Sequence, residues 1–291
     1  LRDERDALQR EMPEVLRAYH HLLVPEGANS GLNNFFMALT KAARPEREEA
    51  VSVLRQTLDG RVCQLRLTRL LSEDIADAAL RPAIAYVLAW LRVAGENSVM
   101  PPWVRLEYPE IATLVRELRA TPCGDVACNW CRENHDARRW LKRWFGYDDF
   151  RRDERGHSLQ DDIVSAGIAG CSLLGILPTG GGKSLCYQLP ALMRYNQTGA
   201  LTIVISPLQA LMKDQVDTLL ARGITAAATL NGLLSLPERK QVLDGIRLGD
   251  VGILLVSPEQ ARNMSFREAI KHREIAAWVF DEAHCLSKWG H

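Results

Sequence analysis

From residue 160 onward the chain alternates continuous apolar runs with amphipathic ones, and this alternation sets the predicted architecture. The runs at 172–177, 201–206, 225–229, 252–257 and 276–281 have the length of strands buried on both faces. Between them, 185–194, 208–222, 236–248 and 267–271 carry apolar residues at helical spacing. Strands separated by helices predict a parallel sheet covered on both sides, with right-handed crossovers and ligands at the strands' carboxyl ends.

The first part of the chain reads as helices instead. Leu8, Met12, Val15, Leu16, Tyr19, Leu22 and Leu23 recur three and four residues apart, and 24–31 is a loop by composition. Pro45 followed by Glu46, Glu48 and Glu49 suits a first helical turn, ending near Asp59 and Gly60. Ser72, Glu73 and Asp74 are read as the cap of a further helix carried by Ile75, Ala79, Ile84, Val87, Leu88 and Leu91. After a break at 95–102, Ile111, Leu114, Val115 and Leu118 predict a short one. The expected layout is a helical accessory or docking domain over 1–120, a Cys/His module and linker over 121–145, and an α/β domain over 146–291.

The sharpest chemistry lies where an apolar run meets three glycines, Gly180, Gly181 and Gly182, followed by Lys183, Ser184 and a helical segment. Glycine lets a backbone wrap a phosphate with its N–H groups aimed inward, and the following helix turns its positive end to the same hollow. Lys183 would neutralise the outer phosphates and the Ser184 hydroxyl would complete the shell of a magnesium ion. About one hundred residues on, an apolar run ends in Asp281 and Glu282. Asp281 is placed to hold that magnesium through water and Glu282 to orient the attacking water.

Two other stretches leave their readings open. Cys123, Cys128, Cys131 and His135 place four soft ligands within a short span, spacing that can close a tetrahedron around zinc. The same cysteines could instead pack as small hydrophobes beside Trp130, with His135 solvated. An iron–sulfur cluster would want a fourth cysteine nearer in sequence than Cys63. Between residues 138 and 155, seven Lys and Arg interleave with Trp140, Trp144, Phe145, Tyr147 and Phe150. That pattern suits phosphates and stacked bases, or equally a solvated helix whose aromatics turn inward.

Composition narrows the setting. With 36 basic and 36 acidic residues, any nucleic-acid contact must come from local patches and not an overall basic field. No apolar run approaches the roughly 20 residues that span a bilayer. Seven cysteines, an odd number partly inside apolar runs, point to a reducing compartment, the cytoplasm, and not to a disulfide framework. The chain opens on Leu1 and stops at His291 just after a motif, and is expected to be part of a longer protein.

Residues 177–191, 206–216 and 281–291 resemble the RecQ-type superfamily 2 DNA helicases, which drive movement along single-stranded DNA with ATP. The likeness covers 145–291 and implies a RecA-like first motor domain preceded by an unfamiliar helical domain. It implies phosphate and magnesium binding by Pro178, Thr179, Gly180, Gly181, Gly182, Lys183 and Ser184, with Asp281 and Glu282 catalytic. His284 would link this site to a second RecA-like domain, and Ser206, Pro207, Lys213, Gln215, Asn231, Ser257 and Trp289 would lie along DNA. Glu154 stands where such helicases carry an adenine-reading Gln, but an insertion over 152–159 makes Gln160 the expected reader. Lys288 replaces a usual Gln, and the Cys/His cluster precedes the motor where RecQ zinc modules follow it. Because the arginine fingers would lie beyond His291, residues 1–291 alone are expected to hydrolyse almost no ATP. Partners through the N-terminal half, and no membrane, complete the expectation.

Overall fold

The computed structural model describes residues 52, 54–73, 77, 79–93, 102–178 and 180–284. The helix expected over 8–23 and the first turn of the one from Pro45, together with Thr179 and Trp289, lie outside them; the later part of the second helix is described, helical at 52 and 54–57 and turning at 58–61. The chain divides into two compact units, one closing at His135 and the other running on from Asp136.

In the first unit, α1 (Gln64–Ser72), α2 (Arg81–Val93), α3 (Pro102–Glu107) and α4 (Ile111–Arg119) are followed by the short α5 (Asn129–Asn134). Leu67, Leu70 and Leu71 of α1 pack with Ile84, Val87 and Leu91 of α2, and with Ile111, Leu114, Val115 and Leu118 of α4. On α4 those positions fall on one helical face, so the predicted stripe is the buried stripe. Ser72 is the last residue of α1 and does not cap the next helix, which begins at Arg81. The reason is the Leu67, Leu70 and Leu71 stripe, which holds the chain helical up to Ser72.

The second unit runs α6 (Ala137–Phe145), α7 (Leu159–Ile168), α8 (Lys183–Thr198), β1 (Leu201–Ile205), α9 (Gln209–Ala221), β2 (Ala227–Leu230), α10 (Leu236–Leu248), β3 (Ile253–Val256), α11 (Pro258–Ala261), α12 (Met264–Ile270) and β4 (Ile275–Phe280). The four strands form a parallel sheet in the order β2-β3-β1-β4. Alternation along the strands feeds two cores. Val204, Ile253 and Leu255 meet Leu189 and Leu192 of α8 and Met212, Val216 and Leu219 of α9. Leu201, Ile203, Leu254 and Val256 meet Leu243 and Ile246 of α10 and Phe266 of α12. Both faces are therefore covered, which is why these strands read as unbroken apolar runs.

One predicted strand is absent. Residues 171–178 have no regular structure, and Leu174 and Ile176 are 76% and 79% exposed. Apolarity suits a strand, but a strand also needs a neighbour to exchange hydrogen bonds with. Among the described residues none pairs with this segment. The other departure is α8, which runs past the predicted end at 194 with Pro190 inside it. Proline removes one helical hydrogen bond, but burial of Leu189, Leu192, Met193 and Tyr195 outweighs that loss.

The basic, aromatic stretch takes its inward-packing form. Trp140, Leu141, Phe145 and Phe150 are buried, and Trp140 stacks on Trp144 with ring centres 4.3 Å apart. Three of its cations are paired with carboxylates: Arg138 with Asp149 (2.9 Å) and Asp161, Arg152 with Asp149 (2.7 Å), and Lys142 with Asp148 (2.7 Å). The Arg152 guanidinium leads in holding Asp149 down to about 2.

Away from the strands' carboxyl ends, the buried guanidinium of Arg273 donates to the carbonyls of Gly199 (2.9 Å), Val251 (2.9 Å) and Ile246 (2.5 Å). These are backbone acceptors at the ends of α8 and α10 and before β3, which otherwise lack helical or ladder partners. Replacing Arg273 with Ala should lower unfolding free energy by about 3 kcal/mol, measured by urea titration. Nearby, Tyr195 donates to the Gly249 carbonyl at 2.7 Å, and its burial pushes the phenol up to about 12. The folded chain thus keeps this proton where the unfolded chain releases it. Its contribution is whole below about pH 10 and is lost as pH rises through 12, a span worth about 2–3 kcal/mol. Alkaline unfolding curves of Tyr195→Phe should lack that limb.

Candidate nucleotide and nucleic-acid site

The glycine loop leads directly into α8, with Gly182 as the residue before its first turn. Two glycines are required for separate reasons. Gly181 donates its N–H to the Pro178 carbonyl at 2.9 Å, and a Cβ there would stand 2.8 Å from that same oxygen. Gly182 has φ 76°, and its Cβ would stand 2.2 Å from the Gln160 side-chain nitrogen. The loop is therefore folded tightly on itself at the start of α8, where the Leu185 N–H donates back to the Gly182 carbonyl at 3.2 Å. Lys183 at that start is exposed and Ser184 is half-buried.

Gln160 is the clamp on this loop. Buried at 4% exposure, it donates to the carbonyls of Gly181 (3.0 Å) and Gly182 (3.5 Å) and accepts from the Arg151 N–H (2.9 Å). Arg151 also donates to the Gly180 carbonyl. The insertion between them closes on itself: Asp153 N–H donates to the His157 carbonyl (2.8 Å), and the Asp153 carboxylate accepts from Arg155 and His157. Glu154 stays exposed in this turn, so Phe150 and Arg151 meet Gln160 as if the insertion were absent. A cleft beside the loop is lined by Phe145, Tyr147, Arg151, Gln160, Leu185 and Gln188. Arg222 lies over both its aromatic rings at 5.7 and 5.8 Å and donates to the Phe145 carbonyl. Sequence reasoning did not single out Gln188, which is buried on the inner side of α8.

Asp281 follows β4 directly, and its N–H donates to the Ile205 carbonyl at 2.9 Å. Burial raises its carboxyl above the ordinary range, while Lys183 and the Gln215 amide pull the other way. Tyr187 donates to Gln215. That bond joins α8 to α9 close to Asp281, whose carboxyl both Lys183 and Gln215 influence. Glu282 has φ 53°, a left-handed backbone that is rare for a side-chain-bearing residue and is found where a site fixes it. It pairs with exposed His284, Oε2 to Nδ1 at 3.2 Å.

Ser206, Asn231, Ser257 and Asp281 each stand one residue beyond their strand, so they form a row along one edge of the sheet. Ser206, Asn231 and Ser257 are 0%, 5% and 2% exposed, set below the surface. The Ser206 and Ser257 hydroxyls are buried with no hydrogen-bond partner among the described residues. Gln215 is also buried, turned toward Tyr187 and Asp281. Lys213 is exposed and paired with Asp217 at 2.6 Å, and Pro207 is half-buried.

The cysteine cluster has a different membership from the one spacing suggested. Cys63, Cys123, Cys128 and Cys131 bring their sulfurs within 4.8 Å of one another, and His135 is not in the group. His135 instead closes α5, its N–H donating to the Cys131 carbonyl, and burial lowers its pKa. Cys63 is held in place by its N–H bond to the Leu118 carbonyl (3.1 Å), a contact between residues far apart in sequence.

A parallel α/β domain with a glycine loop opening a helix and an Asp-Glu pair at the strands' carboxyl ends has the layout of phosphate-loop nucleotide-binding folds. Residues 157–291 match the DEAD/DEAH box helicase family. Over 147 residues the chain is 45% identical to the ATP-dependent DNA helicase RecQ of Pasteurella multocida (strain Pm70), covering 50% of this chain and 22% of that protein. It is 41% identical over 151 residues to the probable ATP-dependent DNA helicase RecS of Bacillus subtilis (strain 168), covering 52% and 28%. With the ATP-dependent DNA helicase Q5 of Mus musculus it shares 40% over 158 residues, covering 52% and 15%. The matched part is thus under a third of each relative's length. The C-terminal half of this chain is thus similar to the DEAD/DEAH box helicases and, among them, to ATP-dependent DNA helicases of RecQ type. No helix among the described residues is long and apolar enough to cross a membrane.

Gly182→Ala should weaken nucleotide binding at least tenfold, because the left-handed backbone alone costs about 1–2 kcal/mol and the methyl displaces Gln160. Equilibrium binding of a fluorescent ATP analogue, with circular dichroism to confirm folding, checks this.

Proposed function

We propose that this chain is part of an ATP-dependent DNA helicase or translocase that couples hydrolysis to movement along single-stranded DNA and to strand separation. The observation that carries the reading is the row Ser206, Asn231, Ser257 and Asp281 at the strands' carboxyl ends, with Lys183 at the end of the glycine loop near enough for its charge to act on Asp281. Lys183 and the loop N–H groups take the phosphates, and Gln160 at the cleft takes the adenine. Ser184 at the start of α8 and Asp281 after β4, near enough to Lys183 for its charge to act on the carboxyl, offer oxygen donors that fit magnesium, which when bound would supply charge neutralisation at the outer phosphates. Glu282 orients the attacking water and His284, beside it, faces a second motor domain.

The segment after β1 is assigned to the DNA backbone: Pro207 and Lys213 reach it directly. Ser206, Asn231 and Ser257 shape the bed from below, and Gln215 connects α9 to Asp281. Such a connection would let DNA occupancy bias the magnesium site. A reducing compartment such as the cytoplasm suits the free cysteines.

A second reading makes the protein a remodelling ATPase that does not unwind duplexes, with the first unit a zinc-dependent docking module. Its support is the four-cysteine group in that unit.

The deciding measurement is ATP hydrolysis by the full-length product with and without single-stranded DNA. The expected result is strong stimulation, abolished in Lys183→Ala and reduced at least a hundredfold in Glu282→Gln with nucleotide binding retained. Residues 1–291 alone should turn over almost nothing, since the trans cations are missing. A rate indifferent to DNA would sink the translocase reading and move attention to a protein partner.

A further inference from the structure

We propose that Cys63, Cys123, Cys128 and Cys131 together hold a single tetrahedral zinc ion, with Cys63 as the fourth ligand. Zinc–thiolate bonds are about 2.3 Å, which sets the edge of a four-sulfur tetrahedron at about 3.8 Å. The sulfurs of Cys63 and Cys128 are 3.8 Å apart, those of Cys123 and Cys131 are 3.5 Å apart, and all four lie within 4.8 Å. An iron–sulfur cluster places an inorganic core between its cysteines and spreads them wider than one ion does. Four thiolates at single-ion spacing suit borderline-soft zinc.

The backbone also turns a donor toward the sulfurs: the Cys123 N–H points at the Cys131 sulfur at 3.4 Å. Cys63 is also the residue preceding α1, where the positive helix end favours an anionic sulfur. The fold delivers it there. Cys63 is bonded to Leu118 at the end of α4, and Arg66 donates to the Pro122 carbonyl at 2.8 Å, drawing the start of α1 onto the cysteine turn. The ion would therefore staple the first turn of α1 to the segment that follows α4, closing the helical unit on itself. Its role is structural, since four protein ligands leave no open position for chemistry.

The test is metal analysis and zinc-edge X-ray absorption on the whole chain, purified under reducing conditions. The expected result is one zinc per chain with four sulfurs at about 2.3 Å and no nitrogen in the first shell. His135→Ala should keep its zinc, and Cys63→Ser should lose most of it. If Cys63→Ser fails to fold, the absorption spectrum of the unsubstituted chain still counts the sulfurs. A chelator should lower the melting of the first unit while nucleotide binding persists, a readout separate from ATPase activity. A shell of three sulfurs and one nitrogen, zinc lost in His135→Ala but kept in Cys63→Ser, bound iron, or four titratable thiols without metal would each overturn it.

Discussion

The hydrogen-bond ladder of the parallel sheet is the constraint on which the site depends. Ser206 N–H donates to Val256, Ser257 N–H to Leu230 and Asp281 N–H to Ile205, so neighbouring strands end at one level. A slip of one residue would turn every side chain to the opposite face and exchange the two cores. It would also separate Asp281 from the start of α8. The interior alternation of Val204, Leu254 and Leu255 thus fixes the register, and the register positions the polar edge.

On that edge, the connections run inward as much as outward. Tyr187 and Gln215 join the first turns of α8 to α9 and β4, and Gln160 ties the segment around Arg151 to the glycine loop. Each side chain is buried or half-buried, so each amide or hydroxyl is costly to leave unpaired. A nucleotide entering the cleft must therefore exchange hydrogen bonds with a network already made. Binding and rearrangement of α9 are expected to go together for that reason.

Four of the five predicted strands were legible because burial on both faces leaves a continuous apolar signature. The run at 172–177 has the same signature, but pairing is a property of a neighbour, and composition does not carry it. The bond of Gln160 to the Arg151 N–H appears only in the fold, whereas that Asp281 follows a strand and that the loop glycines open a helix was legible through spacing along the chain. Cys63 was not, since it meets Cys128 only through the packing of α1 against α4, while His135 was favoured by mere closeness in sequence. The burial of Ser206 and Ser257 was equally hidden: a polar residue after a strand looks exposed until the flanking helices are in place.

The sheet's last strand, β4, pairs with β1 on one side, and no strand pairs with its other side among the described residues. Trp278 and Phe280 on it are 48% and 46% exposed, and Leu174 and Ile176 lie uncovered in a segment without regular structure. Unpaired backbone donors and acceptors beside apolar side chains are a template for another chain. Isolated preparations of these residues would accordingly tend toward edge-to-edge self-association, concentration-dependent and eased by whatever strand caps that border.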